Sequence, residues 1–392
     1  MLGLSNVKTL AEGKVVQVEW VNGVRARFHA VWLRDNSPDS ETLSPGNGQR
    51  LIRIQDVPEN VAVSAATVID HARLEIVFSP ENKVVTFDAA WLLEHRYDRP
   101  AKANTSAGWT GEEIVRWGEE LQDILPVASF REASSNADEL RRWLADVHRY
   151  GVAKMTEMPL ESGAICKVVE LFGYLRETNY GRFFEVRTEV NPVNLAYTGL
   201  GLQVHTDNPY RDPVPTLQLL SCLENSVDGG DSVVVDSFKA VELLHEEAPE
   251  AFKALSSLPA TYTYAGTGDV RLRSKRPMIE LGPDGELLAV RFNNRSLGPL
   301  TDIPFEQMEA FYQGYRKLAD IMERPELAVT FKLQPGELFI VDNTRVTHGR
   351  VGYEGSGSRW LQGAYADLDG LRSTLAVLEK QAQQTKQEEV MA

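Results

Sequence analysis

In the run Leu202-Gln-Val-His-Thr-Asp-Asn-Pro, His205 stands two residues before Asp207. Alternate side chains of an extended chain share a face, so this imidazole and carboxylate are expected on one side of a strand, able to share a metal ion. A third ligand has to come from a distant part of the chain. His348, in Asp342-Asn-Thr-Arg-Val-Thr-His-Gly-Arg, is the candidate. Two imidazoles and a carboxylate on one face of iron(II) leave three positions open, two for a bidentate co-substrate and one for oxygen.

His-x-Asp alone is a common pattern, and the wider context gives it meaning. Gly229-Gly-Asp-Ser brings Ser232 in at a distance suited to a co-substrate contact. Arg359 follows shortly after His348, in Gly357-Ser-Arg-Trp-Leu-Gln-Gly-Ala-Tyr. That spacing predicts a β-turn back to an adjacent strand, with the guanidinium near the metal. There it would clamp a dicarboxylate through paired hydrogen bonds. A zinc hydrolase built on the same three ligands would leave Arg359 and the Gly-Gly-Asp-Ser segment unexplained. A binding protein without chemistry would have no use for the intact set.

The motifs Phe28-His-Ala-Val-Trp-Leu-Arg-Asp-Asn, Asn194-Leu-Ala-Tyr-Thr, His205-Thr-Asp, Gly229-Gly-Asp-Ser, Phe292-Asn-Asn, Phe339-Ile-Val-Asp-Asn, His348-Gly-Arg and Gly363-Ala-Tyr-Ala-Asp occur in that order. Through them the chain resembles, nearly end to end, the γ-butyrobetaine dioxygenase family of Fe(II)- and 2-oxoglutarate-dependent oxygenases. The resemblance implies oxidative decarboxylation of 2-oxoglutarate with O2, coupled to hydroxylation of an unactivated carbon. Arg359, helped by Ser232, would bind the far carboxylate of 2-oxoglutarate. Tyr180, Phe184, Tyr197 and Tyr365 match a cage for a quaternary ammonium. Such a group has no N–H to donate and is held by cation–π attraction to ring faces. Phe184 stands where family members have Trp. Asn194 and Asn293 match contacts to the anionic end of the substrate. A homodimer is also implied.

Two departures bear on substrate and metal. Arg291 and Arg295 flank Phe292-Asn-Asn, and strand alternation would set Arg291, Asn293 and Arg295 on one face. With Arg295 inward, the pocket would suit a phosphonate such as 2-(trimethylammonio)ethylphosphonate better than the carboxylate of γ-butyrobetaine. In the family, three Cys and one His of the small domain hold zinc. Here Ser37, Asp39 and Thr42 replace the cysteines, and Asn82 or Lys83 the His, so no structural zinc is expected.

The elements that must position these residues read as mainly β with covering α-helices. Residues 1–97 form a small β-rich domain, with strands at Val15–Trp20, Leu74–Phe78 and Val84–Phe87 and a turn at Ser79–Lys83. Residues 98–127 are a connector, pinned by Trp109, Trp117 and Leu121. Residues 128–380 are the catalytic domain, expected as a double-stranded β-helix, or jelly roll. Its helices start at Asn136 and Ser162 and span about 304–323. Residues 381–392 are a polar tail. The net charge of −15 over 392 residues argues against a nucleic-acid surface. Two cysteines, Cys166 and Cys222, imply no disulfide framework. No signal or membrane-spanning run is read, so a cytoplasmic enzyme acting on a small molecule is expected.

Overall fold

The computed structural model describes residues 3–98, 114–187, 201–266, 270–354 and 357–391. The chain divides into two compact units, Met1–Ala103 and Asn104–Ala392. Among the described residues no helix is long and apolar enough to cross a membrane.

The first unit holds two three-stranded antiparallel sheets. One is Leu4–Leu10, Val15–Trp20 and Arg25–His29; the other is Ala62–Asp70, Arg73–Ser79 and Lys83–Asp88. Alternation puts Val16, Val18, Trp20, Leu74, Ile76 and Phe78 into one apolar core. The loop where the resemblance places metal ligands carries other chemistry. Asp39 pairs with the Lys83 ammonium at 3.0 Å and accepts the Thr42 hydroxyl at 2.9 Å. Ser37 donates to the Leu33 carbonyl at 3.1 Å.

The second unit is mainly β with covering helices. Its six-stranded sheet runs in the order Val127–Ser129, Val152–Thr156, Leu338–Asp342, Leu217–Asn225, Arg359–Ala366, Phe184–Arg187. A four-stranded sheet runs Leu202–His205, Val346–Arg350, Ser232–Asp236, Ala328–Phe331. The sheets face each other: Val234, Val329 and Val346 of the smaller pack with Cys222, Phe339, Val341 and Leu361 of the larger. Trp117 and Leu121 are buried in the same cluster.

Helices cover the outer faces. Ala137–Tyr150, capped by the Asn136 side chain and ended by Gly151 at φ 71°, lays Trp143, Leu144 and Val147 on the larger sheet with Ile165 and Val168 of Ala164–Glu170. Met308–Met322 buries Phe311, Leu318 and Met322, while Tyr312 is half-exposed.

Several expectations change. The second helix starts after Gly163, because Ser162 is engaged by Gln362 at 2.8 Å. The polar C-terminal tail continues one helix, Leu368–Met391. Arg359 does not follow a turn to a strand beside His348. The two strands lie in opposite sheets, and Arg359 reaches the site from the facing wall.

Candidate active site

A cavity of about 410 Å³ opens in the second unit, lined from both sheets. His205 ends the strand Leu202–His205, and Asp207 lies just beyond it rather than on it. The strand Val346–Arg350 brings His348 opposite His205. Ring centroids of the two histidines are 4.6 Å apart, and His205 Nε2 stands 3.4 Å from Asp207 Oδ1. Among the described residues, His205, Asp207 and His348 are the group able to hold a metal ion.

The surroundings fit a cation. His205 Nδ1 faces the Gln203 carbonyl at 2.7 Å. A carbonyl only accepts, so Nδ1 donates there and Nε2 is the ring nitrogen turned toward the carboxylate. Asp207 stays ionised: burial raises its pKa, but the His205 contact and the Tyr365 hydroxyl outweigh this and hold it well below the usual range. Burial and the neighbouring His205 push His348 down to about 3, leaving it neutral as a ligand must be. The backbone is fixed too. Asn343 accepts the Asp207 N–H at 2.7 Å and donates to its carbonyl at 3.0 Å.

Across the cavity Arg359 is buried, and its Nε has no hydrogen-bond partner among the described residues. Burial, then the charge of Arg350, lowers its pKa to about 10. The segment Gly229-Gly-Asp-Ser backs this residue. Gly230 has φ 73°, and a Cβ there would meet Arg359 Nε at 3.3 Å. Ser232 also lines the cavity.

The aromatic residues form a connected wall. Tyr180 is 6.0 Å from Phe184, and Phe184 is 5.2 Å from Tyr365, centroid to centroid. Phe184 lies over Gly363, where a Cβ would stand 2.2 Å from Cζ. Asn194 and Tyr197 lie outside the described residues.

The anion-binding expectation is corrected in part. The strand Leu287–Val290 ends before Phe292-Asn-Asn, so alternation does not govern residues 291–295. Arg291 turns away from the cavity and pairs with Glu280. Asn293 and Arg295 do line the cavity. The Asn293 amide already donates to the Thr206 carbonyl at 2.9 Å and accepts the Ser296 N–H at 3.1 Å.

Residues 112–365 match the family described as taurine catabolism dioxygenase TauD, TfdA. The chain belongs to this TauD/TfdA dioxygenase family. Residues 7–93 match the γ-butyrobetaine hydroxylase-like N-terminal family. Among relatives of this TauD/TfdA chain, human γ-butyrobetaine dioxygenase is 31% identical over 384 residues, 97% of this chain and 98% of the relative. The γ-butyrobetaine dioxygenase of Pseudomonas sp. (strain AK-1) is 32% identical over 378 residues, 96% of each. Trimethyllysine dioxygenase of Meyerozyma guilliermondii is 30% identical over 387 residues, 95% of each. This TauD/TfdA member is a 2-oxoglutarate-dependent dioxygenase that uses iron(II) and oxygen.

The cavity residues that escaped the sequence reading include Gln218, Tyr210, Tyr264 and Arg350. Tyr264 stacks on Tyr210 at 4.9 Å, and the Tyr180 and Tyr210 hydroxyls meet at 3.0 Å. Signals existed. Gln218 is the lone polar residue in Leu217-Gln-Leu-Leu, and Arg350 completes His348-Gly-Arg.

Proposed function

We propose that this enzyme hydroxylates an unactivated carbon of a small trimethylammonium zwitterion, with 2-(trimethylammonio)ethylphosphonate favoured over γ-butyrobetaine. One observation carries the preference: Arg295, Arg350 and Arg359 line the cavity, and among its described lining residues Asp207 is the one acid. Asp207 belongs to the metal. Three cationic side chains on one lining favour ligands with anionic groups.

In this reading His205, Asp207 and His348 hold iron(II), which when bound couples decarboxylation of 2-oxoglutarate to the hydroxylation. Arg359 takes the far carboxylate of 2-oxoglutarate through a two-point contact, with Ser232 adding a hydroxyl. Tyr180, Phe184, Tyr197 and Tyr365 offer ring faces to the trimethylammonium group, and Tyr210 and Tyr264 extend that wall. Arg295 takes the anionic end, with Asn194 and Asn293 beside it. A phosphonate has three acceptor oxygens and, like a phosphate monoester, nearly two charges near neutral pH. Asn293, largely committed to the backbone, is a weak sole partner even for a carboxylate. We read the two facing sheets as a double-stranded β-helix, and the enzyme as cytoplasmic and dimeric.

The relatives named γ-butyrobetaine dioxygenase favour the second reading, a carboxylate substrate converted to carnitine. A product screen of small trimethylammonium acids with iron(II), 2-oxoglutarate and oxygen separates the two. The phosphonate should have the higher kcat/KM, and Arg295→Ala should reduce it far more than that of γ-butyrobetaine. Better turnover of γ-butyrobetaine, or equal losses for both in Arg295→Ala, would replace the phosphonate with the carboxylate. No turnover of any trimethylammonium compound would end both readings.

A further inference from the structure

The strands Leu217–Asn225 and Arg359–Ala366 run antiparallel, with Gln218 directly opposite Tyr365. Residues so paired project from the same face of a sheet. Their neighbours Leu217, Leu219, Ala364 and Ala366 face the helix-covered core instead. Register alone therefore sets an amide and a phenol side by side on the cavity wall. Both reach the same atom: Gln218 Nε2 donates to Asp207 Oδ2 at 2.6 Å, and the Tyr365 hydroxyl donates to it at 2.7 Å. The other carboxylate oxygen, Oδ1, is the one beside His205 Nε2.

We propose that Gln218 is a positioning residue of the metal site. With Tyr365 it occupies Oδ2, so that Asp207 presents Oδ1 alone. A carboxylate free to rotate can bind a metal through both oxygens, as carboxylates do elsewhere. Here that would use a position needed by 2-oxoglutarate or oxygen. Two charge-assisted hydrogen bonds on one oxygen oppose the rotation. Gln218 is buried and its Oε1 meets no donor among the described residues, so the Nε2 bond is the contact that holds this amide there. Tyr365 has a second contact, its ring 5.2 Å from Phe184. It thus joins the aromatic wall to the metal ligand, whereas Gln218 reports on the metal alone.

The test uses the full chain carrying Gln218→Leu, close to Gln in volume. Without oxygen and with 2-oxoglutarate present, cobalt(II) is titrated and followed by visible absorption. Removing a group that orients a metal ligand typically weakens metal binding by about 10–100-fold. That loss is expected, with a cobalt spectrum changed from wild type because the carboxylate turns. Tyr365→Phe, which keeps the ring, should act in the same direction. The double variant should lose less than the two single losses combined, since both groups serve one oxygen. Wild-type cobalt affinity and spectrum in Gln218→Leu would overturn the proposal. Should that variant fail to fold, Gln218→Met, which also removes the amide donor, decides it by the same two readouts. Cobalt binding is read without any trimethylammonium compound, so the result is independent of which substrate the enzyme takes.

Discussion

At the metal end of the cavity the carboxylate of Asp207 already has protein partners: Gln218 and Tyr365 on one oxygen, and Asn343 on the backbone at either side. At the opposite wall Arg359 is buried, yet no carboxylate pairs with it among the described residues. The same cost of burying charge is met in two ways. The metal ligand is held by permanent donors, which fixes its geometry before any ion arrives. Arg359 has no such permanent carboxylate among the described residues, and in the proposed reading the co-substrate supplies one. A cofactor that stays needs a preformed site, whereas a co-substrate consumed each turnover needs one that is completed only on binding.

Arg359→Ala gives the largest expected effect on that contrast. Truncating one partner of a buried charge pair typically costs about 2–5 kcal/mol. The lower figure is roughly a thirtyfold rise in the 2-oxoglutarate requirement. Steady-state kinetics with each reactant varied should show a much smaller change for the organic substrate. Equal weakening of both would take Arg359 away from the co-substrate and remove the contrast.

Arg291→Ala sharpens it from the other side, because this arginine has a permanent partner in Glu280. Breaking a fully buried pair costs about 3–5 kcal/mol. Glu280 is a quarter exposed, so a loss nearer 1–3 kcal/mol is expected, read as a lower Tm or denaturation midpoint. KM for the substrate should hold. A selective loss of substrate binding would return Arg291 to the cavity.

The smallest effect is expected in the N-terminal unit. Lys83→Met removes the ammonium from Asp39 and Glu41. Such a partly exposed pair contributes about 1 kcal/mol or less. Elemental analysis of the unaltered chain should find no stoichiometric zinc. Tightly held zinc in that unit would mean that the loop works as a metal site after all.

The sequence made the ligand set legible because its chemistry lies in residue types. Imidazole, carboxylate and a distant imidazole keep their meaning whichever strand carries them. Arg359 was found through spacing, although the geometry behind it differs: the strand returns on the facing sheet, not beside His348. Gln218 was passed over because its role depends on lying opposite Tyr365, a register fixed only when distant strands pair. Arg291 and Arg295 separated because the strand ends at Val290, where the two-residue rhythm stops. Ser162 lies just outside its helix, and its hydroxyl accepts the Gln362 amide, a partner 200 residues away that no local pattern reveals.

Phe184 lies against bare backbone at Gly363, nearer than any side chain would allow. The room at that wall is therefore set by a position that presents no side chain of its own. One added methyl at residue 363 would tip the ring into the cavity and crowd a bulky head group. Tolerance of smaller amines could thus be inherited, or engineered, through a residue that never touches the molecule being selected.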